Sequence, residues 1–171
     1  LSTVATKPVH ASTDFDRLLK LIGELNYTWT NTESLLVHLI AGMVGTDKET
    51  ATLIFLTLGT SRSRIALVER LAKMGRLTPE RRDEILDIMK TLTKCQKVRN
   101  HYNHCLYAFG DDSLPKMTIN LRIAESKDSI RLDGYRKLDR RAIEEFEQAL
   151  TEIRTSNRAL WNVIRVNAFP A

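Results

Sequence analysis

The stretch KVRNHYNHCLYAF, Lys97 to Phe109, gathers two of the four histidines of the chain, two asparagines, one arginine and one of the two cysteines. Three chemistries are open to such a set: metal coordination, a Cys–His nucleophile, or phosphate binding with proton transfer. His101 and His104 are three residues apart, but the chain has no Glu-x-x-His element and no acid in the surrounding turns. Divalent ions normally gather carboxylates or further histidines, so no metal site is expected here. Cys105 adjoins His104. Adjacent residues of a helix point about 100° apart and do not face each other. A cysteine on the apolar side acts as a small hydrophobe.

Phosphate chemistry fits better. At about 100° per residue, Arg99, Asn103, Asn100 and His104 fall within an arc of about 140°, with Lys97 at its edge. Val98, Tyr102, Cys105, Leu106 and Phe109 take the other side. Arginine can hold a phosphate by two parallel hydrogen bonds and stabilise charge building up on it. Histidine can transfer the proton of a ribose 2′-hydroxyl or of a leaving oxygen. Such a set suits RNA cleavage without a metal or other cofactor. It supplies one histidine, so a second copy from a dimer partner is the natural complement.

The elements that must position these residues can be read from apolar spacing. Phe15, Leu18, Leu19, Ile22, Leu25 and Trp29 recur at helical steps, and the run from Leu35 to Met43 is apolar on nearly all sides. This predicts one long helix over 14–44, or two broken near Thr30-Asn31-Thr32, ended by Gly45. Thr46-Asp-Lys-Glu49 has the capping-box pattern and predicts a short buried helix through ATLIFLTL. SRIALVERLAKM reads as an amphipathic surface helix. Thr78-Pro79 offers a cap and a first-turn proline, and no Gly or Pro follows until Gly110, so a helix is expected to run to about Phe109. Met117, Ile119, Leu121 and Ile123, then Ile130 and Leu132, alternate with polar residues and predict a hairpin over about 116–133, turning near Ser126-Lys127-Asp128. Asp139 can cap a last long helix with Ile143, Phe146, Leu150, Ile153, Leu160 and Ile164 on its buried side. The fold class is therefore mainly α: a bundle of about five to six helices with a small β-hairpin inserted before the last long helix. A tail over 1–13 precedes a single domain over 14–171.

Composition agrees. The chain has 171 residues, 43% hydrophobic and 27% charged, with a net charge of +5. These are values for one globular domain. SLLVHLIAGMV is about half the length of a bilayer span, so no membrane association is expected. The N-terminal segment lacks a basic end followed by an apolar run and does not read as a signal peptide. Two cysteines without CxxC spacing suggest free thiols in a reducing cytoplasm. Trp29 and Trp161 sit at helical spacing and are read as core. His38 lies inside an apolar run and is read as a satisfied buried histidine. Between Ile88 and Gly110 there are Lys90, Lys94, Lys97 and Arg99 and no acid; between Ser61 and Arg76 there are Arg62, Arg64, Arg70, Lys73 and Arg76 against Glu69. These basic segments could guide RNA.

RNHYNH, Arg99 to His104, resembles the Arg-polar-x-x-x-His motif of the HEPN (higher eukaryotes and prokaryotes nucleotide-binding) superfamily, with Asn100 at the polar second position. The resemblance covers roughly Asp14 to Gly110. It implies an all-helical bundle, commonly dimeric. It also implies a metal-independent endoribonuclease of toxin–antitoxin or antiviral defence systems, with an antitoxin or another protein as a further partner. Carried over by position, it marks Arg99, Asn100 and His104 as catalytic, while His101, Tyr102 and Asn103 fill variable positions. Lys97, Asn103, Arg62, Arg64 and Lys94 are the residues expected to touch RNA. Two other readings keep the same bundle: an inactive module that holds RNA, a nucleotide or a partner, and a dimeric helical scaffold.

Overall fold

Leucines at three- and four-residue steps wind Asp14–Ser34 into α1, the first of six helices which, with three strands, make up the described part of the computed structural model, residues 14–111, 115–126 and 129–171. After α1 come α2 (Leu36–Val44), α3 (Lys48–Thr57), α4 (Ser61–Ala72), α5 (Pro79–Asn103), β1 (Cys105–Phe109), β2 (Pro115–Ser126), β3 (Ser129–Lys137) and α6 (Arg140–Val166). The fold is thus mainly helical, with a small antiparallel sheet before the last helix. The tail over 1–13, the turn at Lys127-Asp128 and the side chains of Phe15, Leu121, Ile123, Ile130 and Leu132 lie outside the described residues.

α5 and α1 both pack on α6, α2 enters the centre, and α4 bridges α2 and α5. Trp29, Leu36, Ile40, Met89, Phe146 and Leu160 are almost completely buried where these helices meet. Each such side chain stabilises the fold by about 1.5–3 kcal/mol through removal from water. The caps follow the sequence at three ends. Thr78 accepts from the Arg81 amide, Asp139 accepts from the Arg141 and Ala142 amides, and Gly45 closes α2 at φ 78°.

Elsewhere the structure corrects the sequence reading. The break between α1 and α2 falls at Leu35, not near residues 30–32. There, Leu35 N–H donates to the Thr32 carbonyl and His38 N–H to the Leu35 carbonyl, two tight turns in place of the α-helical ladder. The cap of α3 is Asp47 rather than Thr46, its carboxylate accepting from the Thr50 amide at 2.8 Å. α3 itself is peripheral. It buries only Ala51 and Phe55 and leaves Leu53 and Leu56 exposed, because it packs mainly on α2. Trp161, expected in the core, is 45% exposed.

The largest correction lies at the end of α5, short of the predicted Phe109. α5 stops at Asn103, and Cys105–Phe109 is a strand paired with β2. CLYAF is too short for periodicity to separate helix from strand, and tyrosine and phenylalanine suit a pleated surface. The hairpin therefore becomes a three-stranded sheet in the order β1-β2-β3. Tyr107, Thr118 and Arg136 pair in one row that faces the helices. The Tyr107 hydroxyl donates to the Tyr102 carbonyl, Thr118 meets His101, and Arg136 meets Glu145 of α6.

Past α6 the chain folds back on α2. Ala168 adopts φ 50°, the Phe169 ring lies against Gly42, and His38 Nδ1–H donates to the Pro170 carbonyl at 2.6 Å. His38 is buried and satisfied, as its apolar surroundings suggested. Among the described residues no helix is long and apolar enough to cross a membrane.

Candidate functional site

α5 carries the Arg-Asn-x-x-x-His stretch at its C-terminal end. Its buried stripe is Ile85, Ile88, Met89, Leu92 and Cys95. Arg99 follows Cys95 by four residues and Asn103 follows Arg99 by four, so both continue that stripe rather than oppose it. The arc of Arg99, Asn103, Asn100 and His104 is therefore not one outward face. Its Arg99–Asn103 edge points at α1, and its Asn100–His104 edge opens toward solvent. Tyr102 is buried as the spacing suggested, but Leu106 and Phe109, placed on the packing side of a longer helix, are exposed strand residues.

The neighbour on α1 is Asn26. Its Oδ1 accepts from Arg99 Nε at 3.1 Å and from Asn103 Nδ2 at 2.7 Å. Its Nδ2 donates back to Asn103 Oδ1 at 2.9 Å and to the Ile22 carbonyl at 3.0 Å. Arg99 Nη1 donates to Asn100 Oδ1 at 3.3 Å. Asn26, Arg99, Asn100 and Asn103 thus form one amide–guanidinium cluster, half-buried at the end of the α1–α5 contact. Every acceptor Arg99 uses is neutral. Among the described residues no carboxylate pairs with it, so the cluster orients the guanidinium without cancelling its charge.

His104 caps α5 at φ −121° and ψ 11° and is exposed. It makes no hydrogen bond among the described residues. His101, three residues earlier, is buried; its Nε2 lies 3.1 Å from Thr118 Oγ1 and its ring stands edge-on to Tyr102. One histidine ties the helix to the sheet and the other stays open.

Both cysteines are free thiols. Burial pushes the Cys95 thiol from 9.0 up to about 12, helped by the Glu152 carboxylate 3.4 Å away. Burial also raises the Cys105 thiol, and it raises the Tyr102 hydroxyl, which donates to Glu145. These groups stay protonated at neutral pH and act as packing. Among the described residues no three His, Cys, Asp or Glu side chains come together as a metal cluster.

The residues expected to touch RNA divide in two. Lys94, Lys97 and Arg62 are exposed and have no ion pair among the described residues. Asn103 belongs to the cluster. Arg64 turns inward: its Nε donates to the Phe55 and Leu58 carbonyls, its guanidinium lies 4.1 Å over the Phe55 ring, and Glu33 is 3.4 Å away.

Sequence reasoning missed Asn26. Its signal was a polar residue at a core-facing position, four after Ile22 and three before Trp29, where an unpartnered amide would be costly. Comparison of the chain with family models, characterised proteins and solved structures gives no match.

Proposed function

We propose that the protein is a metal-independent endoribonuclease of the HEPN type, belonging to a toxin–antitoxin or antiviral defence system, and that it acts as a homodimer. The observation that carries this reading is an arginine held by neutral amides alone, five residues before an exposed histidine. A cation fixed in this way retains its attraction for a phosphate, and its geometry is set before the substrate arrives. Arg99 grips the scissile phosphate, Asn100 fixes the guanidinium, and His104 handles protons. The 2′-hydroxyl loses its proton to His104 of one protomer as its oxygen bonds to phosphorus. The bond from phosphorus to the 5′-oxygen breaks, and that oxygen takes a proton from the same histidine of the second protomer. The products are a 2′,3′-cyclic phosphate and a 5′-hydroxyl. Lys94, Lys97 and Arg62 attract the strand.

Incubation of the purified protein with RNA in EDTA, followed by end-group analysis, tests this. Cleavage to cyclic phosphate ends is expected, and His104→Ala should lose about 10²–10⁴-fold in rate. RNA left intact by the wild-type protein with or without EDTA, or cut equally well by His104→Ala, refutes it. Binding that requires Arg99 with no turnover would mark an inactive module instead.

A further inference from the structure

Among the described residues, the sheet has a second face that the helices do not cover. Tyr107, Thr118 and Arg136 point to the helices, so the adjacent rows point outward. Leu106, Ile119 and Tyr135 pair across the three strands in one such row. Leu106 is 52% and Tyr135 58% exposed, and Tyr135 has no partner among the described residues. The next row is Ala108, Met117 and Lys137. An antiparallel sheet with one face on the core normally offers polar residues to water. The described outward residues of this sheet, Leu106, Ile119, Tyr135, Ala108 and Met117 with Lys137, are mostly apolar and include an exposed aromatic ring.

We propose that this outer face is a stacking platform for unpaired bases of single-stranded RNA whose phosphates run along α5 to Arg99 and His104; it rests on the ribonuclease reading for the location of the reacting phosphate. Two observations select this occupant. The first is continuity: Leu106 lies two residues beyond His104, so the platform begins where the candidate site ends. The second is charge. Lys90, Lys97 and His104 recur at helical steps with Thr93 and Asn100 between them, a strip about 20 Å long at 1.5 Å per residue. All three are exposed, and neither lysine has an acidic partner among the described residues. Lys137, also exposed, adds a cation in the row beside Tyr135. A strand with phosphates on the lysines and bases on Tyr135 and Leu106 satisfies both the cationic strip and the apolar face. A duplex turns its base faces inward and can use only the strip.

Fluorescence anisotropy with a 2′-O-methyl RNA strand of about 12 nucleotides tests the platform, because such a strand binds but cannot cyclise. Tyr135→Ala should weaken single-strand binding about 5- to 100-fold, the range that stacking of one base on one ring provides. Tyr135→Phe should bind nearly as wild type, and duplex binding should be unchanged by either. Lys97→Ala should weaken both forms. Wild-type affinity in Tyr135→Ala overturns the proposal, as does a wild-type protein that binds no RNA. So does a Tyr135→Ala variant that sediments as a monomer where the wild type is a dimer, since the face then belongs to a second copy. The two readings fail separately. Binding through Tyr135 without cleavage removes the ribonuclease and keeps the platform. Cleavage with normal binding by Tyr135→Ala removes only the platform.

Discussion

Arg64 and Arg99 both stand in basic stretches, and the bundle treats them in opposite ways. Arg64, with 18% of its side chain exposed, faces Glu33, with 11%, and its remaining contacts are two carbonyls and the Phe55 ring. Its charge is spent on holding α1, α3 and α4 together. Arg99 is held as firmly, but by Asn26 and Asn100, which carry no charge. The partner's charge separates a structural cation from an available one, and neither burial nor the number of hydrogen bonds would have done so.

Removing each arginine sharpens this contrast most. Arg99→Ala is expected to lower RNA cleavage by about 10²–10³-fold, with little change in thermal unfolding. Arg64→Ala should do the reverse. It leaves Glu33 buried and unpaired, at a cost of about 3 kcal/mol in denaturant titration, while the rate per folded molecule stays near wild type. If both variants lose stability and neither loses rate, the comparison collapses.

Asn26 offers a finer test. Asn26→Ala removes the acceptor on which Arg99 Nε rests, so the rate should fall about tenfold with a loss of about 1–2 kcal/mol in stability. Asn26→Asp supplies a carboxylate, which makes Arg99 resemble Arg64, while its second oxygen can no longer donate to Asn103 and the Ile22 carbonyl. This variant should lose stability about as Asn26→Ala does, and bind RNA more weakly in anisotropy. Stronger binding by Asn26→Asp would show that charge cancellation is not the deciding factor.

Lys97→Ala is expected to act weakly and through salt alone. Affinity should drop a few-fold, and the slope of log affinity against log salt should flatten by about one. An unchanged slope would remove Lys97 from the strand's path.

At neutral pH the smallest effect belongs to the buried thiol. Cys95 titrates normally in the unfolded chain but near 12 in the fold. Above pH 9 the unfolded state therefore binds fewer protons than the native one. Stability is complete below about 9 and declines as pH rises toward about 12, which urea titrations at stepped pH would register. A stability curve flat across that window would contradict the burial of Cys95 and Tyr102.

What the sequence made legible was local. Thr78-Pro79, Asp139 and Gly45 each act within one turn, so their caps could be read without knowing the fold. The inward stripe of α6 was equally clear, because one face of a long helix repeats many times. The end of α5 was not, since Cys105–Phe109 satisfies both helical and alternating patterns and only pairing with β2 decides between them. Exposure of Leu53, Leu56 and Trp161 depends on which neighbours arrive, and no spacing encodes that. The candidate site was half legible. Arg99 and His104 stand out as a pair in one helix, whereas the link from Asn26 to Arg99 spans 73 residues of chain. Arg64 misled for the same reason, its carboxylate partner lying on α1, three helices earlier in the chain.

Gly42 shows how much a missing methyl group can determine. A β-carbon there would fall inside the Phe169 ring, so the two side chains are alternatives for a single volume. With glycine, the ring occupies it, and the left-handed turn at Ala168 and the His38–Pro170 bond follow. The middle of α2 thereby encodes, as empty space, the route taken by the last residues after α6. Such a position responds to substitution as a gate rather than a dial: any added side chain evicts Phe169, and its effect is felt at the far end of the chain.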